Sequence, residues 1–206
     1  MKHLLRSTVV LMLIAILFGV GSQRVQADAS PADTPAGSSF DQRVAQRKKE
    51  RSIVLSDLDN ARLVGTCTSA QNKLRTFEVG MVPALAYRNK IYQQIDAKIW
   101  VTIGQLKLAS SDTFSLEKDR MKLVDDSTAF QTLSSSFTQA LDDTELINCK
   151  ADPVGFKALL ETDRLYYADL QTQSTDLHDF IVNSIKTELS THATDLQPKT
   201  PTSGNN

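Results

Sequence analysis

From Leu63 to Leu106, apolar side chains recur at intervals of three, four and seven: Leu63, Cys67, Ala70, Leu74, Phe77, Met81, Leu85, Tyr92, Ile95, Ile99 and Leu106. That spacing lays one apolar face along an α-helix. Gly80 and Pro83 interrupt it, and a proline inside a helix removes one hydrogen bond and crowds the carbonyl four residues back, here Val79. The apolar phase continues across Pro83, which predicts a kink rather than a break. A second seam follows, with Leu116, Leu123, Phe130 and Phe137 at sevens and Leu133, Ala140 and Ile147 in a second row. A third carries Leu160, Tyr167, Leu170, Leu177, Ile181, Ile185 and Leu189.

Polar punctuation separates these seams. Ser39 with Gln42 three residues on forms a capping box, and Ser110-Ser111-Asp112-Thr113 ends the first arm. Ser115 is the expected cap of the second arm, with Glu117 in its first turn. Asp152-Pro153 opens the third helix as an N-cap followed by proline at the first position. The expected fold is all-α: an elongated antiparallel three-helix bundle with coiled-coil character. Its helices cover about 40–109, 116–148 and 153–192, the first much longer and kinked near Pro83.

The chain has two cysteines, Cys67 and Cys149, and the turn near Ser110–Asp112 lies close to halfway between them. In an antiparallel hairpin, residues equidistant from the turn lie side by side, so the register itself brings this pair together. At about 1.5 Å of rise per residue both cysteines sit roughly 55–65 Å from the turn. A bridge there closes a loop of about 80 residues, worth roughly 4–5 kcal/mol by chain entropy. A redox-active pair would call for C-x-x-C spacing or an activated thiolate, and neither is visible.

The chain ends change the compartment. Lys2 and Arg6 precede the apolar run Val9–Val20, and small-x-small sites follow at Val25–Ala27 and Ala27–Ala29. This is the pattern of a signal peptide over 1–27, and the run is shorter than the ~20 residues that comfortably span a bilayer. Residues 28–39 are small, polar and proline-bearing, a disordered leader, and 193–206 form a disordered tail. Of 23 Lys+Arg and 24 Asp+Glu, three basic residues and no acid precede Asp28. The mature chain thus carries 20 basic against 24 acidic residues, which gives it no electrostatic reason to bind nucleic acid. Export to an oxidising compartment, periplasm, cell envelope or extracellular space, agrees with a Cys67–Cys149 disulfide. The membrane enters only if the leader is retained as an anchor.

Taken together, the exported leader, Cys67 in a long helix, Phe137 shortly before Cys149, and a helix reaching Asp179-Phe180 show a resemblance. Over roughly residues 58–186 the chain resembles uncharacterised secreted coiled-coil proteins of reduced-genome candidate-phylum bacteria. That resemblance implies a helical exported protein and brings no catalytic residues with it.

Candidate chemistry is sparse. After the leader only His178 and His192 remain, fourteen residues apart, with no i, i+4 partner for a metal. Asp125-Asp126 and Asp142-Asp143 are sequence neighbours that point to different sides of a helix, so both pairs are expected on the solvated surface. No G-x-S-x-G, phosphate-binding loop, dinucleotide fingerprint or EF-hand loop occurs. No catalytic residue, cofactor or metal is therefore expected, and the chain reads as a non-enzymatic helical spacer or binding scaffold. Two alternatives remain open: a periplasmic chaperone-like holdase, and a module that binds an envelope polymer or lipid surface through Arg43–Arg51. Arg43, Arg47, Lys48, Lys49 and Arg51 make that stretch basic, and it is expected to stay solvated. With the base of the bundle at the cysteines, residues 40–62 are expected to project beyond it. Ile53, Val54, Leu55 and Leu58 would there meet a second copy or an envelope partner. The run Ile99–Leu108 is apolar on more than one side and is expected to be covered by the second helix and the end of the third.

Overall fold

The computed structural model describes residues 38–193. The expected signal segment and leader, up to Gly37, and the expected tail, from Thr194, lie outside the described residues. Five α-helices follow in order: α1 Phe40–Arg51, α2 Asp57–Leu108, α3 Phe114–Leu146, α4 Pro153–Phe180 and α5 Lys186–Thr191, with a π-helical turn Ile181–Ile185 joining the last two. Among the described residues there is no strand.

The long first helix expected over 40–109 is two helices. α1 opens on the capping box, in which the Ser39 N–H donates to Gln42 Oε1 at 2.8 Å and the Gln42 N–H to Ser39 Oγ at 3.3 Å. It closes at Ser52 in the left-handed region, φ 46°. A fresh N-cap follows at Ser56, whose Oγ accepts the Asp59 N–H at 3.1 Å. Serines at 52 and 56 offer the backbone alternatives to helix, and β-branched Ile53 and Val54 between them resist it weakly. The chain therefore reverses at 52–56, and α1 doubles back along α4 instead of projecting past the base. Residues 40–51 therefore have a partner in their own chain, whereas Val54, Leu58, Ala61 and Arg62 stay exposed.

α2 runs for 52 residues and passes Pro83 without interruption. Leu74, Leu85, Tyr92, Ile99, Ile103 and Leu106 are its buried face above Cys67. α3 lies between α2 and α4 and packs extensively on both, while α2 and α4 touch little. Its seam is the driest part of the molecule: Leu116, Leu123 and Phe130 have no exposed surface, and Phe137 is 1% exposed. Edge-to-face aromatic contacts tie the layers, Tyr92 to Phe130 at 5.4 Å, Phe77 to Phe137 at 6.3 Å and Phe77 to Tyr167 at 5.7 Å. The cap of α3 is Thr113 rather than Ser115, and Asp112 Oδ1 accepts the Phe114 N–H at 3.0 Å.

α4 starts as expected. Asp152 caps it by accepting the Gly155 N–H at 2.9 Å, with Pro153 in the first turn. Gly155 is required here, because a Cβ would stand 2.8 Å from both Asp152 Cγ and Ile147 Cδ1. Towards the other end, the buried positions Leu170, Leu177 and Ile185 are spaced by seven and then eight. The wide turn Ile181–Ile185 takes up the extra residue and returns Ile185 to the core.

Cys67 and Cys149 are bridged, Cα–Cα 5.8 Å, as the hairpin register requires. Both are almost fully buried, within a second cluster made of Val44, Ile147, Phe156 and Leu159. The disulfide suggests an oxidising, extracytoplasmic setting. Among the described residues no helix is long and apolar enough to cross a membrane.

Candidate interaction surfaces

At the base, α1 is fastened by charge. Arg43 makes a bidentate pair with Asp143 of α3, Nε to Oδ2 at 2.7 Å and Nη2 to Oδ1 at 2.6 Å. Arg47, 5% exposed, donates to Glu50 and to the Tyr166 hydroxyl, both at 2.8 Å, and lies over the Tyr166 ring. Lys48 Nζ reaches both oxygens of Asp152 at 3.0–3.1 Å. Val44 is the one buried apolar side chain of α1. Three of the five basic residues expected to be solvated are thus committed to partners in this chain; Lys49 is exposed and Arg51 half-buried. Val44 and Phe40 join the second cluster, while the planar guanidinium heads of Arg43 and Arg47 find carboxylates.

Asp143 also corrects the reading of the acidic pairs. Asp142 is exposed, but Asp143 is 3% exposed and sits under Arg43, with Gln139 also donating to it. Beneath it lies Asp163, 5% exposed, whose Oδ2 accepts from Thr144 Oγ1 at 2.8 Å. Burial pushes the Asp163 carboxyl up to about 8, opposed by the Thr144 hydrogen bond, reinforced by the Asp143 charge and opposed by Arg47. Around the corner Glu78 is raised to about 7, by burial first and then by the neighbouring carboxyl groups of Glu145 and Asp142. Gln71 finishes this end of the molecule. Its Nε2 donates to the carbonyls of Thr144, Glu145 and Ile147 at 2.9–3.1 Å and so caps the end of α3 beside the disulfide.

The hinge leaves apolar surface outside. Ile53 and Leu55 are half-buried, while Val54 is 93% and Leu58 60% exposed. At the opposite end, the expected double cover of Ile99–Leu108 is only half achieved. Ile99, Ile103 and Leu106 are buried, but Trp100, Val101 and Leu108 are exposed, as is Phe114 across the turn. α3 packs on one side of α2, and among the described residues no helix covers the opposite side at this end. Arg120 lies over the Trp100 ring at 4.6 Å and pairs with Asp96 at 2.7 Å.

Among the described residues no group of three or more His, Cys, Asp or Glu side chains could hold a metal ion. His178 is exposed, and His192 lies 3.5 Å from Glu188. The open groove between Asp125, Thr128, Ala129, Thr132 and Leu133 contains one titratable side chain and no nucleophile–base pair. Comparison with protein-family models, with curated proteins and with solved structures returns no match.

Proposed function

We propose that the protein is an exported, non-enzymatic helical spacer or binding scaffold of the cell envelope or extracellular space. The observation that carries this reading is one 52-residue helix with exposed apolar side chains at both of its ends, in addition to Val79 and Tyr87 along its length. Val54 and Leu58 stand at the base and Leu108 with Phe114 at the tip. The helix between Leu58 and Leu108 is about 75 Å long at 1.5 Å per residue. Single exposed apolar residues are ordinary, but clusters at both ends of a stiff connection suit a part that holds two things apart. A bend at Pro83, where a proline lacks the N–H its turn would use, belongs to this reading and would set the angle between the ends.

The exposed tip gives the holdase reading its one specific support, because Trp100, Leu108 and Phe114 could grip unfolded chains. A rod without an apolar concavity offers such clients only a small patch. Binding of an anionic polymer or lipid through Arg43–Arg51 keeps only Lys49 and Arg51 as uncommitted cations. The test is site-specific photocrosslinking from Leu108 and from Val54 in envelope fractions of the producing cell. Distinct partners captured from the two ends are expected. Suppression of aggregation of an unfolded outer-membrane protein at substoichiometric amounts would instead favour the holdase.

A further inference from the structure

We propose that α1 is exchangeable between two copies of this chain, giving a base-to-base dimer in which the hinge 52–56 straightens and α1 continues α2 as one helix. The polarity of the closed form allows it. Lys48 meets Asp152 at the start of α4, whereas Arg43 meets Asp143, which lies further from the base. α1 therefore runs towards the base and α2 away from it, and the hinge alone reverses the chain. Straightened, α1 extends beyond the base on the line of α2 with Arg43 farthest out. A second copy related by a twofold axis at the base presents its own α3–α4 surface in that same order, Asp152 near and Asp143 far. Every contact of α1 re-forms with the partner, so the exchange needs no new interface for the helix itself.

The hinge supplies the driving force. Ser52 is a non-glycine residue at φ 46°, a conformation that an L side chain adopts at a cost and that a continuous helix removes. Val54 and Leu58, four residues apart, would share one face of the straightened helix with Ala61 and Gly65. All four are exposed in the closed chain, and a Cβ at Gly65 would meet nothing within 4 Å. Two such stripes crossing antiparallel bury the large residues of each copy against the small residues of the other. Opposing this is the high effective concentration of α1 beside its own groove, which favours the closed chain on dilution.

Two full-length variants, each processed by the producing cell and isolated with the disulfide intact, decide it. Arg43→Asp and Asp143→Arg each put like charges at the contact, whether α1 closes on its own chain or exchanges with an identical one. Mixed, they can exchange helices so that opposite charges meet at both contacts. Light scattering and native mass spectrometry over a dilution series should show each variant largely monomeric and the mixture a one-to-one heterodimer. A mixture that stays monomeric, or a single variant that dimerises as strongly as the mixture, overturns the proposal. The hinge gives a second reading in the otherwise native chain. Ser52→Gly, which removes the left-handed cost from the closed chain, should lower the dimerisation constant by about fivefold per hinge, hence roughly 25-fold for two, and Ser52→Ala should raise it more modestly by favouring the straight helix. A native chain that is monomeric throughout the series, or no response to either substitution, also overturns it.

Discussion

The two ends of the rod are held by opposite physics. At the tip, Ile99, Ile103, Leu106 and Leu116 meet in a cluster whose interior is hydrocarbon, and its outer face is left bare. At the base the corresponding space is filled by a disulfide, two buried guanidinium contacts, a buried aspartate and a glutamine cap, with a basic helix laid over them. Hydrocarbon packing is non-directional and costs little to assemble, so a heptad seam suffices to align α2 and α3. Polar fastening is directional, and it fixes where α1 lies at the price of desolvating each charge it uses. The base therefore decides geometry, and the tip supplies stability without needing partners of defined position.

The largest effect that would break this contrast comes from the bridge. Replacing Cys67 and Cys149 together by Ser should cost about 4–5 kcal/mol in denaturant unfolding of the oxidised protein. Hydrogen exchange in that variant should rise at the base first, around 63–75 and 143–156, while 99–130 stays slow. Next are the interiors: Leu116→Ala or Phe130→Ala should cost about 2–5 kcal/mol, with a slope against denaturant unchanged from the native chain. Asp143→Ala should fall in a similar range, about 3–5 kcal/mol, because it leaves Arg43 without its buried carboxylate; Asp143→Ala with Arg43→Met should recover much of the loss. Full additivity in that double variant would show that the pair is not coupled.

A smaller effect separates the ends by pH. Asp163 and Glu78 have folded pKa values of about 8 and 7, above the ordinary carboxylate values of 3.8 and 4.5. The folded chain thus binds more protons than the unfolded one between those limits. Stability from these groups is fully present below about pH 4 and is lost as pH rises through 7 and 8. The unfolding free energy should fall from pH 5 to pH 9 by an amount on the order of a few kcal/mol, with the melting temperature falling in step, and Asp163→Asn should flatten most of that slope. A native chain that gains stability over this range would contradict the burial of Asp163. The smallest effect is at the tip surface: Leu108→Glu should change stability by no more than about 0.5 kcal/mol. It should nevertheless weaken capture of any partner crosslinked from Phe114 across the turn.

How much was legible follows the same divide. Periodicity exposes hydrocarbon packing directly, so the seams of α2, α3 and α4, the helix starts at Ser39 and Asp152, and the bridge between equidistant cysteines could all be read. Polar fastening leaves no period. Arg47, Asp143 and Asp163 look like surface charges in the sequence, and only the return of α1 makes them interior. That return was itself signalled by Ser56 with Asp59 three residues later, an N-cap pattern hidden inside a stretch where Ile53, Val54, Leu55 and Leu58 maintain an apolar impression. The π turn at Ile181–Ile185 was hidden for a related reason: Ile181, Ile185 and Leu189 fit an uninterrupted helix equally well.

Amide hydrogen exchange of the native, oxidised chain at neutral pH tests most directly whether charge holds the base together. Amides in α1, notably Val44 to Arg51, should be protected well above those of an isolated twelve-residue helix, which is marginal in water. Arg47→Ala should release that protection while leaving Ile99–Phe130 unchanged. Free exchange throughout α1 in the native chain, or loss of protection spreading to the tip in Arg47→Ala, would contradict it.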